Sequence, residues 1–255
     1  MKSNLSAALL LVLVLVCFTL GLVSALARHP APDVGPSAGS ATLPPTAASL
    51  QTNVLFLGVD SLESPAPSLL AIWLASFRLP GRDIFLLGVP IDLPSGDRGR
   101  DTIADMFRWS PEQGPDPAFL SALHLAAPLE PSAIVCLDRE GFTALVDYLG
   151  GLDLNGVRVD GSQTMAVLDI LDDDPGATLA TQGRLLEAMS LRAPMIGSTP
   201  DLTSLLNLIP MHAYLSTSVT EAAAMVAPLL PLEPDAIHLD TLPSPSASPT
   251  TPSSP

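Results

Sequence analysis

Two hydrophobic periods alternate between residues 52 and 243 of this chain. Asn53-Val54-Leu55-Phe56-Leu57-Gly58-Val59-Asp60 is a short, nearly continuous apolar run, the pattern of a strand covered on both faces. Leu69 to Phe77 and Asp83 to Val89 follow, joined by Arg78-Leu79-Pro80-Gly81-Arg82, whose Pro-Gly marks a turn, so the two read as a hairpin. Helical patterns occupy about 101–109 and 116–126, and Ser132 to Leu137 is a further strand. Phe142, Leu145, Val146 and Leu149 then recur at helical spacing. Gly150 sits where a helix C-terminus needs a left-handed residue, and the chain passes directly into a strand over Leu152 to Val159. Ala177 to Leu191 predicts a helix. Ser218-Val219-Thr220-Glu221 has capping-box spacing and opens a helix that Pro228 ends, and Ile237-His238-Leu239 predicts a last strand. Strands alternate with helices around one hairpin, which predicts an α/β fold: a central mixed sheet with helices on both faces.

The ends follow other rules. After Lys2 no charge appears from Ser3 to Ala27, and 6–27 is long enough to cross a bilayer. Ala25-Leu26-Ala27 also resembles a signal-peptidase site, but the apolar stretch exceeds the ~7–15 residues usual in a cleaved signal. The expectation is a short cytoplasmic N-terminus (1–5), a single transmembrane signal anchor (6–27) and a domain on the extracytoplasmic side of the cell membrane. Residues 28–51 have the Pro/Ala/Ser-rich composition of a linker, and 244–255 contain only Ser, Pro, Thr and Ala, too little apolar surface to fold.

Charge narrows the choice of partners. With 11 Lys and Arg against 26 Asp and Glu, the chain carries a formal charge of −15. It lacks the basic footprint that a phosphate backbone demands, which argues against nucleic acid. It also disfavours surface adhesion to anionic lipid, leaving the N-terminal helix as the expected membrane contact. Cys136 is the one cysteine of the 52–243 region, and its neighbours Ala133, Ile134, Val135 and Leu137 make it a buried small hydrophobe rather than a reactive thiol.

Four segments, in order, resemble the LytR-CpsA-Psr (LCP) family of cell-envelope proteins. They are Asn53 to Ser61 (NVLFLGVDS); Leu87-Gly88-Val89-Pro90-Ile91-Asp92; Gly141 to Leu154 (GFTALVDYLGGLDL), the most specific; and Leu205 to Pro243. The resemblance implies a three-layer α/β/α domain outside the membrane. It also implies transfer of a phosphate-linked glycopolymer from a polyprenyl pyrophosphate to an envelope acceptor such as peptidoglycan. In the family, an apolar tunnel takes the prenyl chain, and a ring of arginines with a few carboxylates holds the pyrophosphate and a divalent cation. Such a ring meets the charge that spreads over phosphoryl oxygens during transfer. This chain departs from that pattern. The family's Asp-Ser-Arg becomes Asp60-Ser61-Leu62, its Arg-x-Asp-Thr falls near Ser68 to Ala71, and its Pro-Arg-Asp becomes Pro90-Ile91-Asp92. The late arginine positions fall near Leu171, Asp173, Thr178 and Thr181. Gln182 survives in kind, and Arg184 is the nearest basic side chain. Losing four charged hydrogen bonds at ~1.5 kcal/mol each slows transfer by about four orders of magnitude. The expected protein is therefore a degenerate, non-catalytic member that binds a prenyl-linked intermediate or an active relative. Two alternatives stay open: an atypical phosphotransferase using Asp60, Asp92 and Mg²⁺ with loop arginines, and an interaction module that keeps the fold for its shape.

The candidate ligand-binding residues are Arg98, Arg100, Arg108, Gln182 and Arg184. Asp60 and Asp92 each end an apolar strand and have the chemistry to hold a Mg²⁺ together, or simply to cap turns there. Asp172-Asp173-Asp174 reads as a solvated acidic turn, because it lacks the alternating ligands of a Ca²⁺ loop. His124, His212 and His238 show no metal spacing, and Ser61 has no recognisable base. Trp73 and Phe77 share a strand face, suited equally to core packing and to lining a lipid tunnel.

Overall fold

The computed structural model describes residues 51–96, 101–171, 173–192, 209–229 and 236–245. The anchor 6–27, the linker up to residue 50, the tail from 246, and Arg98 and Arg100 lie outside the described residues. Among the described residues no helix is long and apolar enough to cross a membrane.

Three consecutive strands form the centre of the sheet: β1 (Gln51–Val59), β2 (Leu69–Arg78) and β3 (Ile84–Gly88). They pair antiparallel, with Phe56 opposite Trp73 and Gly58 opposite Ala71. The 101–109 pattern condenses to a single turn, α1 (Ile103–Met106), capped by a reciprocal Thr102–Asp105 box. A short pairing of β4 (Trp109–Ser110) with β5 (Gly114–Pro115) precedes α2 (Pro117–Ala126). Strand β6 (Ala133–Leu137) then lies parallel to β1 and feeds α3 (Arg139–Tyr148).

The expected single strand over Leu152 to Val159 is instead a hairpin, β7 (Leu152–Leu154) and β8 (Val157–Val159). Its turn is Asn155-Gly156, both at positive φ (53° and 81°), as a two-residue hairpin turn requires. Helix α4 (Gly161–Asp169) was not evident from apolar spacing, because its Gly-Ser-Gln-Thr opening has little hydrophobic rhythm. It begins on a capping box of Asp160 and Gln163. Helix α5 (Pro175–Arg192) is followed by α6 (Ile209–His212), the short strand β9 (Ala213–Leu215), α7 (Val219–Val226), a 3₁₀ turn (Ala227–Leu229) and β10 (Ile237–Thr241). The Ser218–Glu221 box caps α7 as expected, with Glu221 N–H donating to Ser218 Oγ at 3.2 Å and Ser218 N–H to Glu221 Oε2 at 3.0 Å.

The six-stranded sheet has the order β10-β3-β2-β1-β6-β9 and is mixed: β1 with β6 and β3 with β10 run parallel, the remaining pairs antiparallel. Strand alternation sends the two halves of each apolar run to opposite faces. Leu55, Leu57, Ile72, Leu74 and Cys136 pack with Ile103, Phe107, Phe119 and Leu123 of the α1–α2 region. Val54, Trp73, Ala75, Phe77, Leu86 and Val135 face the other way, against Leu179 of α5 and Leu229. Burial pushes the Cys136 thiol pKa up, aided by the nearby Asp138 charge, in keeping with a packing role.

A second cluster joins α3, β7 and α5 through Leu145, Val146, Leu149, Leu152, Leu185 and Met189. Gly150, at φ 71°, ends α3 as expected, and its N–H reaches Asp147 O at 2.8 Å. Helix α4 crosses α3 closely at Gly161, where an added Cβ would lie 2.2 Å from Thr143 O. Gly161→Ala is therefore expected to lower stability by about 1–3 kcal/mol, read from the urea midpoint, since the two backbones must part.

Candidate functional site

Two adjoining cavities open between the sheet and α3, α4 and α5. The first, about 150 Å³, is walled by Phe56, Gly58, Ala71, Trp73 and Leu86 from the sheet and by Phe142, Leu145, Met165, Leu168, Leu185, Leu186 and Met189 from the helices. The second, about 210 Å³, has the more polar lining and is termed the mouth; Ser68, Pro90, Ile91, Asp169, Pro175 and Thr178 contribute to it. Leu70, Ala71, Arg139, Met165, Leu168 and Gln182 border both, so the two spaces are direct neighbours. The position follows from the topology. β1 and β6 are parallel neighbours, and their carboxyl ends at Gly58 and Leu137 border the cavity, as ligand crevices do in α/β sheets. Trp73 lines this space, while Phe77 is core.

The polar groups at the junction are few and mostly engaged. Gln182 accepts from Trp73 Nε1 at 3.2 Å and donates to Leu70 O at 2.9 Å, so it stitches α5 to β2. Thr178 donates its hydroxyl to Leu171 O at 2.7 Å. Arg139, the first residue of α3, is the one cation lining either cavity among the described residues. It is ion-paired with Asp169 at the end of α4. With side chains 34% and 48% exposed, this pair belongs to the surface class worth only about 0–1 kcal/mol.

Asp138, next to Arg139, also lines the apolar cavity, and its side chain is 3% exposed. It caps α3 by accepting from Gly141 N at 2.8 Å, accepts from Leu62 N at 3.4 Å, and meets His212 Nδ1 at 3.0 Å. The other nitrogen, His212 Nε2, lies 3.3 Å from Glu140. The Asp138 hydrogen bond, reinforced by the charges of Asp138, Glu140 and Glu63, raises the His212 pKa against the opposing effect of burial. A raised folded-state value means that the stabilisation is complete below the ordinary histidine range and is lost as pH rises through the raised value. Urea midpoints measured across that rise are expected to fall, and the fall should vanish in His212→Gln.

The other sequence candidates are placed elsewhere. Asp60 Oδ1 accepts from Ser61 N at 2.7 Å and Ser68 N at 2.8 Å, closing its own loop. Asp92 Oδ2 accepts from Ser244 Oγ at 2.9 Å, so the first residue assigned to the tail is tied to the domain. Neither carboxylate lines either cavity. Among the described residues no group of three His, Cys, Asp or Glu side chains could hold a metal ion. The two carboxylates expected to hold Mg²⁺ are instead engaged by Ser61, Ser68 and Ser244, and neither borders the mouth. Arg108 donates to Asp105 O at 2.9 Å and Phe107 O at 2.7 Å, a local cap on α1. Arg184 donates to Thr181 Oγ1 at 2.8 Å within α5. Of the expected ligand residues, Gln182 alone reaches the cavity among those described. Asp174 accepts from Ala177 N at 2.9 Å and starts α5, a turn role for the acidic run.

Arg139, Asp138 and Asp169 did not stand out in the sequence. The strand-Asp-helix junction at Leu137-Asp138-Arg139 carries the signal, since the residue just past a parallel strand faces the crevice.

No protein-family model matches the chain, and no curated protein matches it. The fold has clear counterparts among solved structures. The LytR-Csp2A-Psr enzyme from Actinomyces oris is similar with a TM-score of 0.59 at 17% identity, over 77% of this chain and 83% of that one. TagT bound to LIIa-WTA gives 0.56 at 15% identity, over 75% and 78%. TagV from B. subtilis gives 0.54 at 13% identity, over 76% and 84%. The domain is LCP-like in its fold.

Proposed function

We propose that this LCP-like domain serves cell-envelope glycopolymer assembly by holding the apolar chain of a prenyl-linked intermediate without transferring its cargo. The carrying observation is the pairing of an apolar cavity with a mouth that offers one described cation. A cavity of about 150 Å³ accepts a benzene-sized apolar group, so it takes the first isoprene-sized unit of a chain. Burying about five carbons at ~0.8 kcal/mol each contributes about 4 kcal/mol, enough to capture an amphiphile already concentrated at a membrane. The segment 6–27 supplies that membrane contact in this reading, with the domain on the extracytoplasmic side.

Phosphoryl transfer needs fixed cations around the departing pyrophosphate. The mouth provides Arg139, already matched by Asp169, which supports a binding role over a catalytic one. The test uses the full-length chain in lipid nanodiscs with a polyprenyl-pyrophosphate-linked glycan and a peptidoglycan acceptor. Retention of the intermediate without glycan transfer is expected. Transfer above the level of empty nanodiscs would show that the domain is an atypical phosphotransferase.

A further inference from the structure

The one described cation at the mouth of the apolar cavity is already matched by a carboxylate. Arg139 faces Asp169, and Asp173 and Asp174 immediately precede Pro175, itself part of the mouth. A pyrophosphate head would bring at least two negative charges to the single described guanidinium, which a carboxylate already matches. Like charges brought together with no added cation among the described residues oppose such binding.

A hydroxyl meets the same pair differently. Its oxygen accepts from an Arg139 N–H, and its proton is donated to the Asp169 carboxylate, so donor and acceptor are answered side by side without a change in charge. The neighbouring polar groups are already engaged: Gln182 holds Trp73 and Leu70, and Thr178 holds Leu171. Arg139 borders both cavities, whereas Asp169 borders only the mouth. A hydroxyl seated between them leaves its chain pointing into the apolar space walled by Trp73, Leu185 and Met189.

We infer that the site takes an uncharged, hydroxyl-ended long-chain amphiphile in preference to the pyrophosphate of the same chain. The inference rests on the chain-binding role proposed above and names the head that the mouth selects. In that case the free lipid alcohol competes with the intermediate for the same site, so a dephosphorylating reaction must supply this competitor or a phosphorylating one must remove it.

The test titrates farnesol and farnesyl pyrophosphate against the full-length chain in nanodiscs, following tryptophan emission. Trp73→Phe serves as the blank for the cavity signal, and partitioning is corrected with empty nanodiscs. The alcohol is expected to bind at least about tenfold more tightly than the pyrophosphate. Asp169→Asn, which leaves the mouth with an unmatched guanidinium, should tighten the pyrophosphate several-fold and narrow that gap. Equal affinities, or tighter pyrophosphate binding by the unaltered chain, overturn the head-group inference while leaving chain binding intact. Binding of neither ligand overturns both.

Discussion

Ala71→Phe is expected to abolish binding of a short prenyl ligand while leaving the domain folded. Ala71 lies on β2 at the border of the apolar cavity and its mouth, opposite Gly58 in the antiparallel register. It shares the sheet face of Trp73, so its side chain projects into the space under α3, α4 and α5. A phenyl ring has about the size of the guest that a cavity of about 150 Å³ holds, so the new side chain takes the ligand's place. Excluding about five carbons forfeits about 4 kcal/mol, close to a thousandfold in affinity. The ring enters existing empty space, so the unfolding midpoint should move little. Titration of farnesol against the full-length variant reads the first effect and urea denaturation the second. Unchanged affinity would mean that the ligand sits elsewhere.

The second large effect concerns stability. Asp138→Ala removes a buried carboxylate on which three elements converge: the loop after β1 through Leu62 N, the first turn of α3 through Gly141 N, and α6 through His212. The lost cap costs about 1 kcal/mol, and the lost charged bond to His212 about 1.5–3 kcal/mol. A total near 3 kcal/mol corresponds to a fall of about 6–12 °C in Tm for a domain of this size. The approach of α6 to α3 is tight, because a Cβ on Gly141 would lie 2.5 Å from His212 O, so no side chain can shift in to fill the loss. The same substitution should weaken the pH dependence ascribed to His212, since the Asp138 hydrogen bond is its largest cause. A drop in Tm that keeps the pH dependence intact would separate the histidine from Asp138.

The parts of the fold visible in sequence are those with a strong period or a strong stop. β1, the β2–β3 hairpin, β6, the body of α3 with its Gly150 cap, α5 and the Ser218–Glu221 box all appear where the pattern puts them. The misses have physical reasons. Asn155-Gly156 was passed over because the residues on either side share a strand-like pattern, although that dipeptide is a strong hairpin signal. α4 opens with small and polar residues, and its apolar side chains are spread along nine positions, so its cap is clearer than its period.

That second miss also hid half of the site. Asp169, Met165 and Leu168 all ride on α4, and Arg139 acquires meaning only when α4 brings Asp169 to it. The arginines expected from the sequence are those of the ring that the family resemblance implies. Arg108 is a local cap on α1, Arg184 bonds Thr181 within α5, and the cation that reaches the cavity sits instead at the start of α3. Gln182 was found, but as a stitch between Trp73 and Leu70 rather than as a free ligand donor.

The most direct test of the account is photo-crosslinking of the full-length chain in nanodiscs with a farnesol analogue carrying a diazirine on the isoprene unit next to its hydroxyl, followed by mapping of the adducts by mass spectrometry. The account predicts adducts on Phe142, Leu185 or Met189 that disappear in Ala71→Phe. Adducts that avoid these walls, or that persist undiminished in Ala71→Phe, would contradict it.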